Sequence, residues 1–183
     1  RDVARLSLGA DWRRQTILDN GMVLGIAGAL AVDHYRVAQD ASYPDSITRL
    51  TPTAAIDLRW PWVRPGRNGR STQTIEPILQ LVWSPEDQTL VPNEDSALVE
   101  FDEGNLFSFS RFPGLDLYER GLRANLGLSW TRYDPDGWDL GVTVGRVVRG
   151  DDLGQFSPGS GLDGRSSDWL LAAHYQGPEG LDL

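Results

Sequence analysis

The groups able to do chemistry in this chain are sparse: two histidines, His34 and His174, no cysteine, and 26 carboxylates against 17 arginines and lysines. Neither histidine lies in a GxSxG or HExxH setting, so a serine hydrolase or a zinc protease lacks its parts here. Glu76 and Glu119 both flank a long loop on polar strand phases, where two carboxylates would form an acid/base pair. Structural pairing of these carboxylates with Arg123 or Arg120 is the more economical expectation. Asp151-Asp152 and the acidic loop would attract divalent cations through oxygen ligands, but no EF-hand-like spacing is present. The chemistry therefore implies no catalytic site, no metal and no cofactor, and points away from an enzyme. Zero cysteines also exclude a thiolate metal site or a disulfide within this stretch.

The elements that hold these groups read as strands. Leu6, Leu8, Ala10 and Trp12 alternate with Arg5, Ser7, Asp11 and Arg13, which is period two. Asp19-Asn20-Gly21 is a turn signal. From Met22 to Val37 large apolar residues (Met22, Leu24, Ile26, Leu30, Val32) alternate with small ones (Gly25, Ala27, Ala29, Ala31). A sandwich strand and a barrel wall thinned to seat something inside it both fit this segment. Ile47 to Trp60 alternates again, and Trp60-Pro61-Trp62 ends it before a turn at Pro65-Gly66-Arg67-Asn68-Gly69. Gln73 to Trp83 follows, with Pro77 inside it, a residue that a central strand avoids unless a bulge or an edge accommodates it.

Ser84 to Pro113 is a loop far longer than a hairpin needs, carrying seven acids and one base, Arg111. Leu98, Phe101, Leu106, Phe107, Phe109 and Phe112 interleave with the charges, so the loop is expected to fold onto something. Ser96 to Phe107 fits either an extended segment or a helical turn. Leu122 to Trp130, Trp138 to Arg149 and Asp168 to Gln176 complete a set of seven strands, and a stub after Gly177-Pro178-Glu179-Gly180 begins an eighth. Connections alternate short and long, with Trp130 and Trp138 bracketing the turn at Asp134-Pro135-Asp136-Gly137 at one level. Short turns on one side, long loops on the other and aromatic residues at strand ends are the pattern of an antiparallel outer-membrane β-barrel. The fold expected is all-β, a transmembrane barrel segment of about seven strands that is part of a larger barrel, because seven such strands do not close one. The longest nearly apolar run, residues 21–32, is too short for a spanning helix. A net charge of −9 disfavours nucleic acid as a partner.

The order QTIEP, NEDSALVEFDEGNLFSFSRFPGLD, ERGLRANLGL resembles the C-terminal barrel of the LptD family of LPS-assembly, or organic solvent tolerance, proteins. The positions that match are Glu76 and Pro77 in the strand, then Asp95, Ser96, Phe101, Asp102, Leu106, Phe107, Arg111, Phe112, Gly114 and Asp116 in the loop. Where the family often follows Gly-x-Asp with Arg, this chain has Leu117-Tyr118-Glu119-Arg120, which moves the basic group to Arg120 or removes its role. The resemblance implies that residues 1–183 are part of a very large C-terminal barrel in the cell outer membrane, preceded by a periplasmic jelly-roll domain. It also implies a translocon that places lipopolysaccharide in the outer leaflet, with an LptE-type lipoprotein plug and a periplasmic LPS-bridge component as partners and membrane lipids around the wall. A general porin or a receptor-type barrel for solute uptake is the alternative. On the barrel expectation Leu126→Arg, facing lipid, costs roughly 2–4 kcal/mol at mid-depth, and the same change at Asn125 is milder.

Overall fold

The computed structural model describes residues 2–66, 70–86, 89–96 and 98–178. Eight strands form one antiparallel sheet: β1 (Asp2–Ile17), β2 (Val23–Ala38), β3 (Ser46–Arg59), β4 (Trp62–Pro65), β5 (Thr72–Ser84), β6 (Gly121–Tyr133), β7 (Asp139–Arg149) and β8 (Leu170–Gln176). The order across the sheet is β1-β2-β3-β5-β6-β7-β8, with β4 beside β5. Apart from the short β4, the strands follow one another across the sheet in sequence order, and among the described residues the sheet is an open wall whose outer strands are β1 and β8.

The expected seven strands are present, and the eighth arises differently from the stub foreseen at the end of the chain, which lies outside the described residues. The third strand ends at Arg59, as Trp60-Pro61 signals, but the pairing resumes beyond it. Arg59 pairs Ile78, and after a break Trp62 pairs Ile75 in the same register, so β4 continues β3. Pro77 sits at that break. Its carbonyl accepts the Trp60 amide at 3.1 Å, and the N–H and C=O of one strand residue point to the same side, so the donor that proline lacks falls where the ladder is already interrupted. The turn expected at Pro65 to Gly69 and the one expected at Gly177 to Gly180 lie partly outside the described residues.

Two turns are as the sequence signals them. Gly21 adopts φ 81° in the β1–β2 turn, where Asn20 Oδ1 accepts the Met22 amide, and Gly137 adopts φ 87° between β6 and β7. Trp130 and Trp138 are not at one level. Trp130 lies well inside β6 opposite Val142, whereas Trp138 is in the turn, near Arg132 and Tyr175.

The rows of paired residues run obliquely to the strand ends. Trp83, next to the long-loop end of β5, pairs Ala54 in the middle of β3, which pairs Gly28 towards the short-turn end of β2, which pairs Trp12. Such stagger is what a tilted barrel wall requires.

Burial is inverted relative to a water-soluble domain. Leu6, Leu8, Leu50, Ile56, Leu122 (53% exposed) and Leu171 (72% exposed) stand out from one face. On the other face Asp33, Arg49, Gln80, Asn125 and Arg123 (1% exposed) are covered. The alternation thus has the phase expected of a barrel wall, with the greasy set outward and the polar set inward. What covers the inner set is the connection between β5 and β6, which lies along the inner surface.

Candidate functional site

The inner face and the β5–β6 loop meet at two ionic anchors and one apolar seat. The first anchor is Glu119, fully buried two residues before β6. Its carboxylate receives Arg149 Nε from β7 at 2.9 Å and Arg111 from the loop, with Arg123 Nε of β6 at 3.8 Å. The Arg111 guanidinium also donates to Asn125 Oδ1 at 2.5 Å and to the Leu106 carbonyl at 2.9 Å, while Asn125 donates to Gln80 on β5. Arg123 donates to the carbonyls of Phe109 and Gly121. Arg149 donates to the Leu162 carbonyl at 2.8 Å, and its guanidinium lies 4.6 Å from the Phe156 ring, which stacks on Phe112. Burial alone would push the Glu119 carboxyl up, but the three arginines outweigh it and hold the pKa below the ordinary range. Burial pushes the Arg111 guanidinium down, against the pull of Glu119.

The second anchor is Arg49 on β3. It donates to Asp33 on β2 at 2.8 Å, to the Leu115 carbonyl at 2.7 Å and to the Asp116 carbonyl at 2.5 Å, with the Tyr118 ring 4.8 Å away. Asp116 in turn organises the loop. Its carboxylate accepts the amides of Glu94 and Asp95, both at 2.6 Å, and the Ser96 hydroxyl, whose oxygen accepts the Gly114 amide at 3.2 Å. Burial would raise the Asp116 pKa, but these donors prevail and lower it. A Cβ on Gly114 would lie 2.6 Å from Asp116 Oδ1 and 2.9 Å from Ser96 Oγ, so only glycine fits between them. Asp95 completes the corner by pairing with Arg5 on β1 at 2.9 Å.

Between the anchors the loop carries apolar side chains onto bare wall. Asp102 and Asn105 cap a single turn, with the Leu106 amide bonded to the Asp102 carbonyl at 3.1 Å. That turn settles the form of Ser96 to Phe107, which holds one turn and no helix among its described residues. Leu106 is fully buried against Gly145, and Phe107 lies over Gly127. Phe109 packs on Ala27, Ala55 and Val82, so the small inward residues of β2 do seat part of the loop. Nearer the β1 edge a cavity of about 370 Å³ remains between Ala29, Ala31, Thr51 and Thr53 of the wall and Phe109, Leu115 and Tyr118 of the loop. Leu98, by contrast, is exposed, and Phe101 is only half-buried.

The residues singled out in the sequence divide accordingly. Asp95, Ser96, Gly114 and Asp116 form one corner; Leu106, Phe107 and Arg111 press on the wall; Phe112 stacks on Phe156 of the β7–β8 connection; Asp102 shapes the turn. Glu76 and Pro77 belong elsewhere, at the β3–β4 break, where Glu76 pairs with Arg59. Glu76 and Glu119 do not form a carboxylate pair: the first is opposite Ser129 deep in β5 and the second lies beyond the far end of β6. Glu119 does bind Arg123, as expected, but Arg120 turns away to the carbonyls of Glu86 and Leu153. Asn125 is not a tolerant inward position, because its buried amide bridges Arg111 and Gln80. Asp151 pairs with Arg165, and among the described residues no three His, Cys, Asp or Glu side chains cluster as metal ligands. Sequence reasoning passed over Arg49, Asp33, Arg149 and Gln80. Their signal was a polar or charged residue on the inward phase near the long-loop end of each strand.

The chain is 28% identical over 124 residues to the LPS-assembly protein LptD of Salmonella typhi and 27% identical over 124 residues to that of Escherichia coli (strain K12). In both cases 63% of this chain and 15% of the relative are covered. It is 35% identical over 107 residues to the LPS-assembly protein LptD of Polaromonas sp. (strain JS666 / ATCC BAA-500), covering 57% of this chain and 13% of that protein. The matched stretch is thus about one seventh of the length of these relatives. The family described as LPS transport system D matches residues 1–183, and the chain belongs to that family, LptD.

Proposed function

We propose that this chain is part of the C-terminal outer-membrane barrel of a lipopolysaccharide translocon, contributing seven full strands of wall and a loop folded into the lumen. The observation that carries this is the inversion of burial. Hydrocarbon is the environment in which an exposed row of Leu, Ile and Trp is stable, and a loop-filled lumen is one in which Arg49, Arg123 and Glu119 are stable. The acyl chains of lipopolysaccharide suit the outer surface and its sugars and phosphates suit the polar interior. The partners on this proposal are lipopolysaccharide, an LptE-type lipoprotein plug and a periplasmic LPS-bridge component, and the location is the cell outer membrane.

The test is depletion of the full-length protein in its own host, followed by labelling of surface lipopolysaccharide. Loss of newly made lipopolysaccharide from the surface is expected, and unchanged surface levels would sink the proposal. Steady ion conductance or uptake of a defined solute by the purified protein in planar bilayers would favour the porin or receptor alternative instead.

A further inference from the structure

The inner face holds another polar cluster, apart from the two anchors. The register sets Gln15 of β1 against Gly25 of β2, Gly25 against Asp57 of β3, and Asp57 against Gln80 of β5, all on the inward phase. Arg13 and Arg59 flank this row, and Phe107 lies over Gly127, the partner of Ile78. Between them is a hollow of about 220 Å³, bounded by the wall and the underside of the loop and set towards the short-turn ends of the strands.

The groups lining it are of opposite kinds. Asp57 is 5% exposed, and its Oδ1 has no hydrogen-bond partner among the described residues. Its carboxylate lies over Gly25, where a Cβ would come 2.1 Å from Asp57 Oδ2, so only glycine leaves it that place. A buried carboxylate oxygen without a donor is costly, and a ligand hydroxyl would satisfy it. Arg59 is already paired with Glu76. Arg13 is exposed and pairs with no carboxylate among the described residues; its guanidinium lies 5.8 Å from the Phe109 ring, which leaves its N–H groups for an anion. Phe107 and Ile78 add an apolar side against which the C–H face of a sugar ring can lie. One carboxylate in a hollow lined by two arginines repels a metal ion, which needs several oxygen ligands, and a lysine side chain alike.

We infer that this hollow binds a phosphorylated sugar, with the phosphate on Arg13 and a ring hydroxyl donating to Asp57 Oδ1. The inference rests on the translocon proposal above, and it takes the sugar to be part of the glycan of lipopolysaccharide, gripped in the lumen on the short-turn side of the loop. A free sugar phosphate has the same chemistry and is separated by the test. A segment of a luminal partner protein would need two side chains of opposite charge in so small a space, whereas one sugar ring carries both groups.

The test uses the full-length protein in detergent micelles, with any co-purifying protein retained, titrated by isothermal calorimetry. The probes are the deacylated, phosphate-bearing oligosaccharide of the host's own lipopolysaccharide, the same oligosaccharide stripped of phosphate, and glucose 6-phosphate. The first is expected to bind at least about tenfold more tightly than the second. Arg13→Gln should erase most of that difference. Gln15→Glu, at an exposed position that carries no risk to folding, should reduce it by placing an acid beside Arg13. Asp57→Ala should weaken both oligosaccharides alike, and Arg14→Gln, on the outer face, should change neither. A wild type without phosphate preference, or a preference that survives both Arg13→Gln and Gln15→Glu, overturns the inference and leaves the translocon proposal to its depletion test. Glucose 6-phosphate bound as tightly as the oligosaccharide overturns the glycan as the source of the sugar. Binding that appears only after a co-purifying protein is removed makes the hollow a protein contact and overturns the inference as well.

Discussion

Glu119 and Arg149, thirty residues apart in the chain, meet at 2.9 Å on the inner face and so tie the β5–β6 loop to β7. The carboxylate is the one acid among three buried arginines, Arg111, Arg123 and Arg149. Removing its charge leaves three cations facing each other in a dry interface, and breaking such a pair costs about 3–5 kcal/mol. Glu119→Gln is expected to release the loop. In the full-length protein this would be read as protease cleavage between residues 98 and 116 at concentrations that leave the wild type intact. Glu76→Gln, which frees only the half-exposed Arg59, should leave the loop protected.

The lowered pKa of Asp116 gives the loop a defined acid sensitivity. A carboxylate whose folded pKa is below its unfolded value, about 3.9, contributes its full stabilisation above that value and loses it as pH falls through the folded pKa. Loop protection should therefore hold at neutral and mildly acidic pH and fail only in strong acid. Asp116→Asn should weaken protection already at pH 7 and flatten the acid dependence, which limited pepsin digestion across pH 2 to 5 would display.

Gly114→Ala probes the same corner sterically. The added methyl would press on Asp116 Oδ1 and Ser96 Oγ, and overpacking of this kind costs about 1–3 kcal/mol. The expected outcome is a lower urea midpoint for loss of loop protection with the barrel's own unfolding midpoint little changed.

Facing can be tested by charge insertion. Leu126→Arg is expected to destabilise the folded barrel in lipid by about 2–4 kcal/mol, measured by reversible urea unfolding in vesicles. Gln15→Arg, inward and exposed on β1, should have a much smaller effect. It replaces Asn125 as the inward comparison, since an arginine at Asn125 would collide with Arg111. Equal losses at Leu126 and Gln15 would reject the assignment of faces.

Much of this was legible in the chain because a strand's period of two makes each face a separate text. The phase of Leu6, Leu8 and Trp12, the turns at Gly21 and Gly137, and the long connection after Ser84 were all readable from residue type alone. The resemblance around Asp95-Ser96 and Gly114 to Asp116 picked out residues that lie together in one corner of the loop. What could not be read was pairing across the sheet. Arg49 meets Leu115 and Asp116 across more than sixty residues, and Glu119 collects arginines from the loop and two strands. Nothing local announces such a meeting. Trp60-Pro61 does end β3, but that pairing with β5 resumes in the same register at Trp62, with Pro77 facing the gap, was not readable from the residues around it.

Gly127 of β6 and Gly145 of β7 are directly opposite one another, and into the gap they leave come Phe107 and Leu106. Neither strand offers a side chain there to hold its neighbour by packing, so the loop supplies the missing bulk and acts as a keystone for the stretch of wall beneath it. A chain lacking residues 98–116 would not simply be a barrel with a wider bore. It would have a weakened seam between β6 and β7, and the two strands and their insert are therefore expected to become ordered together.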